Sequence, residues 1–147
     1  MHWRAFEEPP RVPSKFSTSF WGEGGLETTM TASTSTSLLP HHRLKAYGVA
    51  LELLRAVRDA RITDRDSRDQ ALRAAKSACR NIAEAAGRVS GADKARVFGI
   101  ARGETIEAIC AVEIAVESGA GSREALARVL EHGNALYAML TALSRAR

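Results

Sequence analysis

Four stretches of this chain place apolar residues at alternating steps of three and four, and only a few residues separate one stretch from the next. That period belongs to helices with one buried face, and connections this short leave consecutive helices no room except side by side. Helix 1 is expected after Pro40 and up to about Arg61, with Leu44, Tyr47, Leu51, Leu54 and Val57 facing a core. A connection at residues 62–64 leads into helix 2, where Leu72, Ala75, Cys79, Ile82 and Ala86 repeat the spacing and Gly87 is the expected C-terminal cap. Helix 3 should open at Ser90, with Asp93 as its capping-box partner, and run to Ser118 through Phe98, Ala101, Thr105, Ala108, Ile109, Val112 and Val116. Gly119, Ala120 and Gly121 break it. Helix 4 then takes Ser122 as N-cap and Glu124 in its first turn, and carries Leu126, Val129, Gly133, Leu136, Leu140 and Leu143. The fold class that follows is all-α, an up-down-up-down antiparallel four-helix bundle over residues 41–147.

Composition supports helices over sheets, because aromatic residues make up only 5% of a chain that is 45% hydrophobic, and no run of alternating β-branched residues occurs. Residues 1–40 differ from the rest. They hold all four prolines, a Gly-rich run at 22–25 and a Ser/Thr tract, which reads as a poorly ordered tail, or as an overextended start with Met30 as the initiator. The two cysteines, Cys79 and Cys110, lie in apolar helical patterns, so a disulfide framework is not expected. No uncharged apolar run approaches the roughly 18 residues of a membrane span, and a soluble cytoplasmic protein with no membrane partner is the expectation.

Net charge is +4, but the excess is local: residues 65–102 hold nine basic and four acidic side chains. Clustered cations of this kind attract polyanions by neutralising phosphates and releasing counterions. Arg73, Lys76, Arg80, Arg88, Lys94 and Arg96 are the candidate nucleic-acid-binding residues.

Helix 3 is apolar on two sides, since Ile100, Gly103, Ala111 and Ile114 fall opposite Phe98 on a helical wheel. Helix 2 carries Ala74, Ala78 and Ala85 away from the centre of its stripe, where small side chains permit close approach of another backbone. A helix with two apolar faces needs two partners, so the chain is expected to assemble with itself through helices 2 and 3. Ala74, Ser77, Ala78, Asn81, Glu84, Ile100, Gly103, Glu107, Ala111 and Ile114 are the candidate interface residues.

Catalytic constellations are missing from the pattern. Glu104 and Glu107 lie one turn apart, yet the chain has no Glu-x-x-His with which to complete a di-iron site, and Glu107 reads better as a partner of a basic side chain. His41, His42 and His132 lack metal-ligand spacing, and Cys79 sits in a core stripe as a small hydrophobe rather than a nucleophile. Ser77, Asn81 and Glu84 form a polar line that suits either a neighbouring subunit or solvent. No enzyme, metal or cofactor is expected.

The stretch LRAAKSACRNIAEAAGR from Leu72 to Arg88, followed by VFGIARGETIEA from Val97 to Ala108, resembles the bacterial four-helix-bundle family first met as the 23S ribosomal RNA intervening-sequence protein. Ser77, Asn81, Ile82, Ala83, Glu84, Gly87, Arg88, Phe98, Ala101, Gly103 and Glu107 fall on matching positions of that family's pattern. Two departures stand out. The family's proline position in helix 2 holds Cys79, or Arg80 in a register shifted by one, and its glycine after the Glu is Ala85, which removes the residue that would kink helix 2. The resemblance implies an up-down bundle assembled as a ring-like homopentamer, as in the similar accessory variability determinant proteins of diversity-generating retroelements. Those relatives bind nucleic acid and a reverse transcriptase. The function expected is therefore a non-catalytic oligomeric scaffold whose basic surface meets RNA or DNA phosphates without reading bases. The alternatives are a protein-interaction module without nucleic-acid binding, and a metal-dependent bundle enzyme.

Overall fold

The computed structural model describes residues 39–145, so the expectations for residues 1–38, the poorly ordered tail and the Met30 start, lie outside the described residues. A short 3-10 turn at Pro40–Arg43 precedes four α-helices: α1 Lys45–Asp59, α2 Arg65–Gly87, α3 Gly91–Glu117 and α4 Arg123–Arg145. No strand occurs among the described residues. Each helix packs on two others, α1 with α2, α2 with α3, α3 with α4 and α4 with α1, and α2 against α3 is the most extensive pairing.

Helix ends follow from side-chain chemistry. Asp64, Ser90 and Ser122 each accept a hydrogen bond from the backbone N–H three residues on, at 2.8, 3.4 and 3.2 Å. These caps satisfy amides that have no partner within the helix. Hydrogen bonding by the Ser67 side chain, and after it by the Ser67 backbone amide, holds the Asp64 carboxyl below its usual pKa. At the far end of α3, Gly119 takes a left-handed φ of 79°, and the Gly119 and Ala120 amides donate back to Val116 and Ala115, the paired bonds of a Schellman cap. Gly87 does not play this part: it is the last helical residue of α2, and extended Arg88 follows it as the cap. Asp93 completes only half of a capping box, because its carboxylate turns to Arg88 and Arg96. Helix 1 also begins later than its pattern implies, since Leu44 is extended and separates the 3-10 turn from α1.

The core is built from small residues around a few large ones. Leu53, Ile82, Leu136 and Leu140 are fully buried, each contributing about 1.5–3 kcal/mol. Alanine fills most of the space between them. Five buried alanines belong to α2 (Ala71, Ala74, Ala75, Ala78 and Ala85) and four to α3 (Ala101, Ala108, Ala111 and Ala115). Such small side chains let helix axes approach closely, which suits the extensive α2–α3 pairing.

This alanine-rich packing changes two expected faces. In α1 the buried line is Ala46, Ala50, Leu53 and Val57, whereas Leu44, Tyr47, Leu51 and Leu54 are only partly buried at its flank. In α2, Ala74, Ala78 and Ala85 are expected to stand off the core, yet all three are 0% exposed. The reason is that α2 packs on both α1 and α3, so its buried arc is wider than one stripe. Thr105 is the buried polar residue of the core, and its hydroxyl donates to the Ala101 carbonyl at 2.9 Å. Among the described residues no buried side-chain nitrogen or oxygen lacks a partner.

Candidate nucleic-acid and assembly surfaces

Arg73, Lys76 and Arg80 stand at i, i+3 and i+7 on α2, which places them on one exposed helix face. No carboxylate among the described residues pairs with any of the three. Asp69 borders the same groove but is engaged by Arg65 and Arg68. The row therefore presents three uncompensated cations along about two helical turns.

The other basic candidates are arranged differently. Arg88 pairs with Glu84 and Asp93, and the bond to Glu84 raises the guanidinium pKa further above its usual value, with Asp93 adding to the effect. Arg96 pairs with Asp93 at 2.9 Å. These two residues brace the turn between α2 and α3 rather than offering free charge. Lys94 is partly buried and has no carboxylate partner among the described residues.

On α1, Arg55 and Arg58 line a groove of about 360 Å³ with Leu51, Leu54, Leu72 and Lys76. Both arginines precede the basic stretch of residues 65–102 and so fall outside the sequence-derived candidates, although their spacing from Leu51 and Leu54 places them on the same helix face. Arg58 donates to Asp59, which raises the pKa of Arg58 and lowers that of Asp59.

The outward face of α3 is the second notable surface. Ile100 is 41% exposed, Ile106 50% and Ile114 57%, with Gly103 and Cys110 exposed between them. Ile106 and Cys110 are additions to the candidate interface residues. Ala111 leaves them, because it is buried within the chain. Ala74 and Ala78 likewise lie beneath the surface, which removes them from any direct contact with a neighbour. Ser77 and Asn81 are partly buried, and the Asn81 amide donates to the Ser77 carbonyl at 2.9 Å and to its hydroxyl at 3.2 Å. Glu84 accepts from Arg88. Glu107, expected to seek a cation, instead accepts from the Gln70 amide across the α2–α3 seam.

Among the described residues no group of three or more His, Cys, Asp or Glu side chains is placed to hold a metal ion. His41 meets His42 and Tyr47 edge-on, with ring centroids 4.2 and 4.7 Å apart. Cys79 is buried and Cys110 exposed, and burial pushes the Cys79 thiol above its usual pKa. Thiolate is the reactive form, so a thiol reagent at neutral pH should modify Cys110 in the folded protein diluted to single copies and reach Cys79 only on unfolding. Rapid modification of both sulfurs in the folded chain, read by mass spectrometry, would contradict this placement.

An all-helical domain of four helices, with an alanine-rich core and cations along one helix, defines a small helical-bundle module. The chain belongs to the 23S rRNA-intervening sequence protein family, whose model matches residues 43–142. That family is not a known enzyme family. No curated protein matches the chain. No helix of the described residues is long and apolar enough to cross a membrane.

Proposed function

We propose that this protein is a non-catalytic oligomeric scaffold that contacts RNA or DNA phosphates through α2. The single observation that carries this reading is the exposed row Arg73, Lys76 and Arg80, without carboxylate partners among the described residues while neighbouring arginines are paired. Cations held along a helix position a phosphate backbone but do not read bases, so RNA and DNA of unrelated sequence are both expected ligands. Lys94, partly buried at the start of α3, is a further candidate, and Arg88 and Arg96 contribute less because Glu84 and Asp93 already neutralise them.

The exposed isoleucines of α3 support self-association, since large apolar side chains repeated along one exposed helix side are what an interface covers. An antiparallel up-down arrangement is supported by the Thr63 amide, which donates to the Ala120 carbonyl at 2.9 Å and ties the α1–α2 and α3–α4 connections together at one end. A ring of five copies, and a link to a reverse transcriptase or to ribosomal RNA intervening sequences, rest on the resemblance of the helix 2 and helix 3 motifs.

A gel-shift titration with unrelated RNA and DNA at increasing salt tests the reading. Affinity should fall steeply between about 50 and 200 mM salt, as release of condensed counterions requires. Absence of binding to either polymer at low salt, with a partner protein still captured by the basic face, would favour the pure protein-interaction module.

A further inference from the structure

We propose that the basic groove between α1 and α2 of one copy receives the outward face of α3 from a second copy. The inference rests on the self-association proposed above and names the two surfaces that meet. The groove has an apolar floor of Leu51, Leu54 and Leu72, with Arg55, Arg58 and Lys76 around it. The α3 face is its complement in both respects. It offers exposed Ile100, Ile106 and Ile114, and after Arg102 residues 103–118 contain Glu104, Glu107, Glu113 and Glu117 with no basic residue, Glu117 pairing with Arg123 of α4 at 3.4 Å. Residues 70–82 of α2 show the opposite, three bases and no acid.

Pairing two α3 faces with each other would set these carboxylates against their own copies, and like charges across an interface are costly. Pairing α3 with the groove sets acid against base while covering leucine and isoleucine together. Arg55 and Arg58 each have one exposed partner, Glu52 and Asp59, unlike Arg88, which bridges Glu84 and Asp93, and single exposed pairs contribute little. Gly103 lies on this face, and a Cβ built there, as at Gly48 and Gly99, meets nothing within 4 Å among the described residues, so the surface is open to a helix from another copy. Because groove and face are different surfaces, each copy gives one and receives one. Such head-to-tail contacts close into rings or extend as filaments. Arg73 and Arg80 do not line this groove and stay available to polyanions.

The test is light scattering on the full chain at micromolar concentration, with charge-reversal variants at exposed positions. Arg55→Glu with Arg58→Glu should weaken association by about tenfold or more, and Glu113→Arg with Glu117→Arg should do the same. All four changes on one chain should restore association to within about threefold of the original. Gly103→Gln, which favours the helix, should weaken association without lowering the thermal midpoint of a dilute sample. Failure of the four-fold variant to recover, or variants that assemble like the parent, would overturn the pairing while leaving self-association intact. A parent chain that is monomeric would overturn both. Loss of RNA binding in Arg55→Glu with Arg58→Glu at unchanged mass would assign the groove to nucleic acid instead.

Discussion

Replacing Arg73, Lys76 and Arg80 together by alanine is expected to reduce nucleic-acid affinity by roughly a hundredfold at about 0.1 M salt. Each phosphate that no longer meets a cation also takes about one unit off the slope of log affinity against log salt, so the slope should fall by about two, for Arg73 and Arg80, when a second copy fills the groove that Lys76 lines, and by about three when that groove is open. The change should be nearly equal for RNA and DNA of different sequences, because these side chains meet phosphates rather than base edges. Arg88→Ala and Arg96→Ala should have much smaller effects, since both guanidinium groups already face carboxylates. Fluorescence anisotropy across a salt series reads all of these quantities. A triple variant with unchanged slope would remove α2 from the binding surface, and an equally large drop in affinity from Arg88→Ala would show that paired arginines serve as well as free ones.

Much of the bundle is legible in the sequence because its large residues obey a helical period. Phe98, Val112, Val129, Leu136 and Leu140 are buried where the pattern places them. Ser90 and Ser122 cap their helices as their positions imply. Faces rich in alanine are harder to read, because alanine has little apolar area and its burial depends on how closely a neighbouring helix approaches. This is why Ala74, Ala78 and Ala111 look like an outer stripe in the sequence and lie inside the chain. The same effect moves the core line of α1 from Leu51 and Leu54 to Ala50 and Leu53.

The candidate surfaces are legible in charge but not in pairing. Six basic side chains look alike in sequence, and only the placement of Glu84 and Asp93 separates braced Arg88 and Arg96 from the uncompensated row on α2. Arg55 and Arg58 escape a sequence reading because they belong to a different helix from the local charge excess and join Lys76 only through the α1–α2 packing. Tertiary neighbours, rather than residue type, decide which charges remain to meet a partner.

Gly133→Leu is expected to destabilise the fold by about 3 kcal/mol, at the upper end of typical overpacking costs. Gly133 is buried in α4, and a Cβ built there falls 2.5 Å from Ile109 Cδ1 and 2.9 Å from its Cγ1, with Leu53 Cδ1 at 3.8 Å. Backbone freedom is not the issue at this position, since Gly133 lies inside a regular helix; the space is filled by Ile109. A leucine adds further carbons beyond that Cβ, so a small rotation of Ile109 cannot accommodate it. Ile109→Ala empties the same space and should itself cost less than the about 2–5 kcal/mol of a fully buried isoleucine, because Ile109 is only partly buried. On one chain the two changes should cost at least about 1 kcal/mol less than their sum, the signature of residues that share a space. Urea unfolding followed by circular dichroism measures the cycle, with protomer concentration held constant because self-association contributes to apparent stability. Strict additivity would mean that the leucine finds room elsewhere and that the α3–α4 seam is looser than the Gly133–Ile109 approach implies.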